Sequence, residues 1–117
     1  MSTHPTLQNL FADCRAPNDG ERFETLLRHG PLHIERIVSS CRPDATVYDQ
    51  DQDEWVALLV GRALIEIDGS PVEMARGDTV FLPAHTPHRV LETSEGAVWL
   101  AIHLHPDAAT RAMNEAP

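Results

Sequence analysis

The chain contains 117 residues, of which 18 are acidic and nine are basic, and its formal net charge is −9. This length is typical of one domain with a single core, and the absence of Lys excludes Schiff-base catalysis and any phosphate-binding loop that requires Lys. The acidic balance, without a cluster of Arg, argues against nucleic acids and anionic membranes as partners.

The N-terminal residues "MSTHPTLQNLFADC" contain no basic segment followed by an apolar run, so they do not have the pattern of a signal peptide. No later stretch is apolar over the length of a membrane span. We therefore expect a cytoplasmic protein. Cys14 and Cys41 lie far apart and lack a CxxC partner, so we expect two reduced thiols and neither a disulfide nor a thiolate zinc site.

Residues 1–30 have a mixed pattern and are interpreted as an N-terminal segment that contains one short helix. In "ERFETLLRHG", Phe23, Leu26 and Leu27 fall at helical spacing, and Gly30 follows them as a stop signal. The sequence therefore predicts a helix that ends before Gly30.

Residues 31–106 change to short, alternating, β-branched segments. These are "LHIERIVSS", "EWVALLV", "RALIEI", "TVFLP", "HRVLE" and "AVWLAIHLH", and the turn signals between them include "DG", "RGD" and "EG". Such spacing predicts a mostly β domain, an antiparallel sandwich or barrel. Residues 107–117 are polar and Ala-rich and are interpreted as a C-terminal tail.

The stretch "YDQDQDEW" is rich in carboxylates and leads directly into the apolar "VALLV". In an extended strand, period two places Tyr48, Gln50 and Glu54 on the same face as the core residue Val56, and the three Asp residues on the solvent face. A Glu that points inward must be paired, protonated or bound to a metal. The Asp spacing also resembles a calcium loop, but Glu54 stands where that loop requires a turn Gly, so an EF-hand is not expected.

Two histidines follow in "GDTVFLPAHTPHRVLE", which reads as a strand, a tight loop and an outgoing strand. His88 opens the outgoing strand on the same face as Val90. It should therefore point into the interior, where a neutral imidazole is a good metal ligand. His85 lies in the loop at the rim.

The segment "WLAIHLHP" places His103 and His105 on the face of Trp99, opposite a face of Leu, Ile and Leu. The more apolar face is expected to form the core, which would direct both histidines outward. If both sides of the strand are covered, His103 can still reach a central site, whereas His105 is expected to be solvated. Trp55 and Trp99 fit a core position or an outer packing surface equally well.

Together these residues resemble a known family. The run "EWVALLVG", followed after fifteen residues by "GDTVFLPAHTPH", is similar to the two sequence motifs of the cupin superfamily. The matching positions are Glu54, Gly61, Gly77, Pro83 and His88. The resemblance covers residues 32–105 and is closest to small single-domain bacterial cupins of unassigned activity.

The resemblance implies a conical antiparallel barrel of the double-stranded β-helix, or jelly-roll, type, and a homodimer formed through outer faces and N-terminal strands. It also implies a metal site inside the barrel, whose ligands are an HxH pair, a Glu and a later His. Glu54 and His88 occupy the last two of these positions. Tyr48 and Gln50 stand in place of the HxH pair, where they offer a phenol and an amide oxygen.

Two further positions differ from the family pattern. His85 stands where the family has a turn glycine, and it adds a polar group at the pocket mouth. Glu92 stands where the motif closes with Asn, and in a regular strand it would face the same way as His88.

From these residues we expect a pocket that binds a divalent metal, iron, manganese, zinc or nickel, and a small organic molecule. The expected metal ligands are Gln50, Glu54, His88 and His103, with Tyr48 and His85 facing the organic ligand. Open metal positions would permit dioxygenase or isomerase chemistry. The alternatives are a metal-free isomerase with His88 as general base, a non-enzymatic binding or sensing module, and a polar plug with a purely structural role.

Overall fold

The structure, a computed structural model, describes residues 7–106 and contains eight β-strands within them. The strands are β1 (Glu21–His29), β2 (Leu32–Ser39), β3 (Asp53–Val60), β4 (Arg62–Ile67), β5 (Ser70–Ala75), β6 (Thr79–Leu82), β7 (His88–Thr93) and β8 (Ala97–Leu104). They form a five-stranded antiparallel sheet of order β1-β2-β8-β3-β6 and a three-stranded sheet of order β5-β4-β7. The predicted mostly β jelly-roll architecture is confirmed.

The core lies between the two sheets because each strand directs alternate side chains inward. The buried cluster joins Val56, Leu58 and Trp99 of the larger sheet to Ile65 and Met74 of the smaller sheet. Trp99 is therefore a core residue. Among residues 7–106 there is no helix long and apolar enough to cross a membrane.

Residues 21–29, where the sequence predicted a helix, form strand β1. This strand pairs with β2 along its whole length, and its register shifts between Thr25 and Leu27. Leu26 is thus the extra residue of a β-bulge, and one inserted residue gives the apolar positions of a strand a helix-like spacing. The helix prediction was wrong because sheet pairing decided the conformation and local spacing did not. The predicted tail, residues 107–117, lies outside the described residues.

Gly61 makes the tight connection between β3 and β4. Its φ is +90°, in the region that side chains other than Gly rarely adopt. A Cβ atom at this position would lie 3.2 Å from both the Cα and the Cβ of Ala97. The motif glycine is therefore required by the fold.

Arg36 is a buried cation on the outer face of β2, with a relative exposure of 5%. Its guanidinium donates to both carboxylate oxygens of Glu24, at 2.7 and 3.0 Å from Nη2. It also donates to the backbone carbonyls of Leu10, Ala12 and Asp13. Arg36 therefore fixes the N-terminal segment against the sheet.

We expect Arg36→Met to lower the free energy of unfolding by about 2–3 kcal/mol, because it removes the charged donor to the carbonyls of Leu10 and Ala12 and leaves Glu24 with Arg22 alone. The matched control is Arg42→Met, since Arg42 pairs with Asp19 at 3.5 Å while both side chains are mostly exposed. That change should cost less than about 0.5 kcal/mol. Urea unfolding measures both variants, and equal losses would contradict the assignment.

The outer face of the larger sheet carries a continuous apolar row. Each strand contributes one side chain, and neighbours in the row are direct cross-strand partners. The members are Leu27, Ile34, Ile102, Trp55 and Phe81. Leu27, Trp55 and Phe81 are 45%, 38% and 57% exposed, so the structure leaves this surface open to water.

Candidate functional site

The inward face of the larger sheet changes from apolar to polar towards one end of the barrel. On β3, the buried Glu54 lies two residues before the core residue Val56. On the antiparallel β8, the buried His103 lies two residues after Ala101. At this end lies a cavity of about 80 Å³. Its polar lining consists of Glu21, Glu35, Tyr48, Gln50, Glu54, His88 and His103.

A larger groove of about 750 Å³ lies elsewhere, beside β4, β5 and β7. Its lining includes Arg62, Glu73 and Glu92 but no histidine. The groove also contains Cys41 and Asp78, but the Glu and His side chains close enough to share an ion lie at the smaller cavity. The small cavity is therefore the candidate functional site.

Glu54 and His88 face each other across the cavity. Glu54 Oε1 lies 3.7 Å from His88 Nε2, and both side chains are largely buried. His88 Nδ1 lies 2.9 Å from the carbonyl oxygen of Thr86, so Nδ1 carries a proton and Nε2 is directed to the cavity. Burial raises the pKa of Glu54, and the nearby imidazoles of His103 and His88 only partly oppose this effect.

His103 is buried and faces the same cavity, which places it inside and not outside the barrel. Its Nε2 lies 2.8 Å from Glu35 Oε1 and 4.0 Å from Glu54 Oε2. Its Nδ1 lies 3.3 Å from the Gln52 side-chain amide. Burial favours a lower pKa for His103, but the hydrogen bond to Glu35 and the charges of Glu54 and Glu35 outweigh burial and raise it.

His33 completes this side of the site. It is the direct cross-strand partner of His103, and the two rings stack with centroids 5.3 Å apart. His33 Nε2 lies 4.0 Å from Glu35 Oε2 and 3.0 Å from the Thr25 hydroxyl. Burial lowers the pKa of His33, which favours the neutral imidazole that binds metals.

His33, Glu35 and His103 form a compact set of metal-ligating groups. One ligand atom from each lies within 4.8 Å of the others, and this is the one such group of His, Cys, Asp and Glu found among residues 7–106. With His88 and Glu54 it makes a chain in which imidazoles and carboxylates alternate, and neighbours are 2.8–4.0 Å apart. The order along this chain is His88, Glu54, His103, Glu35 and His33.

Tyr48 and Gln50 line the cavity, as the alternation predicted, although β3 begins only at Asp53. Tyr48 forms an isolated bridge to His88, and its ring stacks on the imidazole with centroids 5.6 Å apart. Burial raises the pKa of Tyr48 and keeps the phenol protonated. The HxH positions of the motif therefore hold no strong metal ligand.

His85 lies at the rim and does not line the cavity. Its side chain is 70% exposed, and its Nδ1 lies 3.0 Å from Asp49 Oδ1. Its φ of +62° is the left-handed conformation that favours glycine, which agrees with the turn glycine expected at this position of the motif. A role for His85 in ligand binding stays a prediction.

Two orientations expected from the sequence differ in the structure. Glu92 is exposed, because the register between β4 and β7 shifts at Leu91 and reverses the faces of the residues beyond it. His105 is half-buried and not solvated, since its ring stacks near those of His33 and His103 with centroids 6.3 and 6.2 Å apart.

Glu21 is a further buried carboxylate of the cavity. Its Oε2 accepts a hydrogen bond of 2.7 Å from the Ser39 hydroxyl. Burial raises its pKa despite this bond, and the charges of Asp44, Glu54 and Glu35 raise it further. Glu21 therefore binds its proton more tightly in the folded state than in the unfolded chain.

The tighter binding of a proton by Glu21 in the folded state predicts that stability depends on pH. The contribution of Glu21 is complete below the ordinary Glu pKa of 4.5 and is lost as the pH rises through the raised value. We expect Glu21→Gln to lose less stability than wild type between about pH 4.5 and 7, as measured by urea unfolding at each pH. Glu73→Gln, at an exposed position of β5, controls for the loss of one charge. An equally steep decline in both variants would contradict this prediction.

Comparison with known proteins identifies the family. The profile of the cupin domain matches residues 44–108. The chain is a cupin. A structure from Ralstonia eutropha JMP134, provisionally named a mannose-6-phosphate isomerase, is 43% identical, with a TM-score of 0.77 over 86% of this chain and 99% of that one. The cupin assignment inferred from the two motifs is confirmed.

Other solved structures share the fold of this cupin. A conserved Streptococcus pyogenes protein of unknown function is 24% identical, with a TM-score of 0.76 over 90% of this chain and 91% of its own. An RmlC-like cupin from Desulfovibrio desulfuricans is 18% identical, with a TM-score of 0.74 over 86% and 97% of the two chains.

A shorter match is found by sequence alone. An uncharacterised protein of Methanocaldococcus jannaschii is 37% identical over 38 residues, a match that spans 32% of this chain and 30% of that protein.

Sequence reasoning missed His33, Glu35 and Gln52 of this cupin site. The signal for two of them was present, because "HIE" places His33 and Glu35 on one face of a strand. These two residues form a group with His103 only because β2 pairs with β8, where His33 lies opposite His103. Spacing along the chain does not reveal that long-range register.

Proposed function

We propose that this cupin binds a divalent metal ion and the reactive end of a small, uncharged organic molecule in its barrel, and that it isomerises hydroxy-carbonyl compounds by proton transfer. The observation that carries the proposal is the chain of alternating imidazoles and carboxylates. Four of its five members line the cavity: Glu35, Glu54, His88 and His103. Such a chain offers metal ligands and proton-transfer groups side by side.

The charge of the cavity favours a cation. Glu21, Glu35 and Glu54 line one small space, and none of its lining residues is Arg. The charges of Glu35 and Glu54 each raise the pKa of Glu21, which shows that the three carboxylates repel one another. A bound divalent ion would relieve this repulsion.

The same charges select the organic ligand. A phosphate ester would meet three acidic side chains and no Arg at the cavity, so we expect it to bind less well than a neutral compound. A cavity of about 80 Å³ has room for a small organic group of a few heavy atoms. We therefore infer a neutral hydroxy-carbonyl compound whose remainder lies at the mouth near Phe23 and Tyr48.

Proton transfer follows from the positions of Glu54 and His88. A bound divalent ion would polarise the carbonyl oxygen of the ligand. With Glu54 ionised and His88 protonated on both ring nitrogens, Glu54 would take the proton from the adjacent hydroxyl-bearing carbon, while His88 Nε2 would give its proton to the carbonyl oxygen. Glu54 would then return its proton to the former carbonyl carbon, and the other hydroxyl would return one to His88. The carbonyl and hydroxyl groups exchange places with no net oxidation.

The isomerase class is further supported by the Ralstonia relative, which is 43% identical and carries an isomerase name. One observation favours a different function. Every buried side-chain N or O atom within residues 7–106 has a hydrogen-bond partner, as expected of a polar plug that stabilises the barrel without binding a metal.

Deuterium exchange distinguishes these functions. Protein loaded in turn with zinc, iron, manganese or nickel is mixed with glyceraldehyde, dihydroxyacetone, mannose or mannose 6-phosphate in D₂O, and NMR follows deuterium at the carbon next to the carbonyl. We expect metal-dependent exchange for the neutral compounds, with mannose 6-phosphate the poorer substrate of the mannose pair. Absence of exchange for every compound, or a preference for the phosphate ester, would contradict the proposal.

We also propose that this cupin forms a homodimer through the apolar row on the outer face of its larger sheet. The five members of the row are Leu27, Ile34, Ile102, Trp55 and Phe81. The row crosses the whole sheet and contains no charge, so a two-fold related copy can place the same row against it. A chain with a net charge of −9 repels its copy over most of its surface, and an uncharged face is where contact costs least.

A further inference from the structure

We propose that the metal ion binds to His33, Glu35 and His103, on paired strands β2 and β8, and not at the positions where the cupin motifs place their ligands. This inference rests on the proposed function and refines it. It assigns the metal to three residues of which two lie outside both sequence motifs. It also leaves Glu54 and His88 free to act on the organic ligand.

The position where the cupin motifs place a metal has lost two of its four ligands in this chain. Tyr48 and Gln50 replace the two histidines of the HxH pair, and Glu54 and His88 remain. The Tyr48 ring lies stacked on His88, an arrangement that occupies the face of the imidazole with an aromatic neighbour. Glu54 and His88 alone supply two strong ligands, fewer than the three that catalytic zinc sites generally use.

The position between β2 and β8 supplies three strong ligands. The relevant atoms are His103 Nε2, Glu35 Oε1 or Oε2, and a ring nitrogen of His33. The carboxylate lies 2.8 Å from His103 and 4.0 Å from His33, and all three atoms fit within 4.8 Å. Ligands about 2.0–2.2 Å from a metal lie roughly 3–4 Å from one another, so an ion requires only small side-chain movements.

The fold holds these ligands in place. His33 and His103 are direct partners in the antiparallel ladder, and Glu35 follows two residues later on the same face of β2. All three side chains are largely buried, with relative exposures of 5–12%. Side chains on paired central strands are positioned more rigidly than side chains on a loop.

An outer neighbour orients the imidazole of His103. Gln52 Nε2 lies 3.3 Å from His103 Nδ1, and if the amide is turned over, its Oε1 accepts a hydrogen bond from Nδ1–H. Nε2 of His103 is then free to bind the metal. The Thr25 hydroxyl lies 3.0 Å from His33 Nε2, the same nitrogen that lies 4.0 Å from Glu35, so an ion would bind Nε2 in place of this contact or would bind Nδ1. A partner such as Gln52 fixes ring orientation and strengthens metal binding.

The ligand set indicates the class of metal. Two imidazoles and one carboxylate with open positions suit Zn²⁺ or Fe²⁺, and no thiolate is present in the set. Glu54 Oε2 lies 4.0 Å from His103 Nε2, on the side of the cavity. An organic ligand bound to an open metal position would therefore lie next to the proton-transfer pair of Glu54 and His88.

The test is the metal content of purified protein, expressed without a His tag in medium supplemented with zinc or iron. The variants are His33→Gln, Glu35→Gln and His103→Gln, compared with Glu54→Gln and His88→Gln. We expect about one ion per chain in wild type, a loss of tenfold or more in each of the first three, and retention in the last two. Absorption of the cobalt-substituted protein should change in the same three variants.

Melting temperatures with and without chelator identify variants that have lost metal because they have lost the fold. His33→Gln is more useful for this purpose than His103→Gln, because the His33 side chain is 12% exposed and that of His103 is 5% exposed. Metal that is kept in His33→Gln, Glu35→Gln and His103→Gln but lost in Glu54→Gln and His88→Gln would overturn the inference and leave the proposed function standing. Wild-type protein without metal under every condition would overturn both.

Discussion

Glu54→Gln is expected to lower the rate of deuterium exchange by about 100- to 10,000-fold, the contribution typical of a general acid-base group. Gln has nearly the same shape as Glu but cannot take a proton. The position is critical because Glu54 is buried, lines the cavity and lies 3.7 Å from His88 and 4.0 Å from His103. The measurement is NMR in D₂O with metal-loaded protein.

The control for this variant is Glu73→Gln, which removes one negative charge from the exposed side of β5. It should exchange at the wild-type rate. Glu54→Gln should also keep its metal and its melting temperature, so that loss of exchange reports on proton transfer alone. If Glu54→Gln still exchanged deuterium at the wild-type rate, Glu54 would not be the group that removes the proton from carbon.

Trp55→Asp is expected to convert the dimer to a monomer at micromolar protein concentration. Trp55 lies on β3 between Ile102 of β8 and Phe81 of β6, inside the apolar row and one strand from its end. An unpaired carboxylate buried at the centre of an interface weakens binding by about 2 kcal/mol or more, roughly 30-fold in the dissociation constant. Sedimentation velocity over a range of concentrations measures this change.

Val47→Asp provides the matched control, because Val47 is 59% exposed and lies outside the row. It introduces the same charge and should leave the dimer unchanged. Trp55 points away from the cavity, so a monomeric Trp55→Asp should still bind its metal ion. A monomeric wild type, or a dimeric Trp55→Asp, would contradict an interface at this face.

Strand alternation predicted much of the site. Period two correctly placed Tyr48, Gln50 and Glu54 on the interior face, and the parity of Val90 did the same for His88. These predictions succeeded because each one needed only the local direction of a side chain in an extended chain. The cupin fold itself was recognisable from the spacing of the two motifs.

Predictions from local sequence pattern were wrong where a strand contains a bulge, or where its more apolar face is not the face that packs in the core. A bulge at Leu26 gave β1 a helix-like spacing, and another at Leu91 turned Glu92 outward. On β8 the core lies on the side of Trp99 and His103, while the more apolar side, including Leu104, faces outward. Apolar content therefore indicated the wrong face of this strand, because the outer surface is itself apolar.

The metal ligands of β2 depended on information that a single sequence does not carry. Glu35 and His103 form a hydrogen bond at 2.8 Å although they are 68 residues apart in the chain. Only the strand order and the register of β2 against β8 bring them together. The absence of an HxH pair therefore weakened the expectation of a metal, whereas the folded chain offers a different ligand set.

The most direct test of a metal centre between β2 and β8 is a crystal structure of metal-supplemented protein, with diffraction data collected on both sides of the absorption edge of the metal. We expect one anomalous peak within coordination distance of His33, Glu35 and His103. A peak bound instead by Glu54 and His88, or the absence of any peak in the barrel, would contradict it.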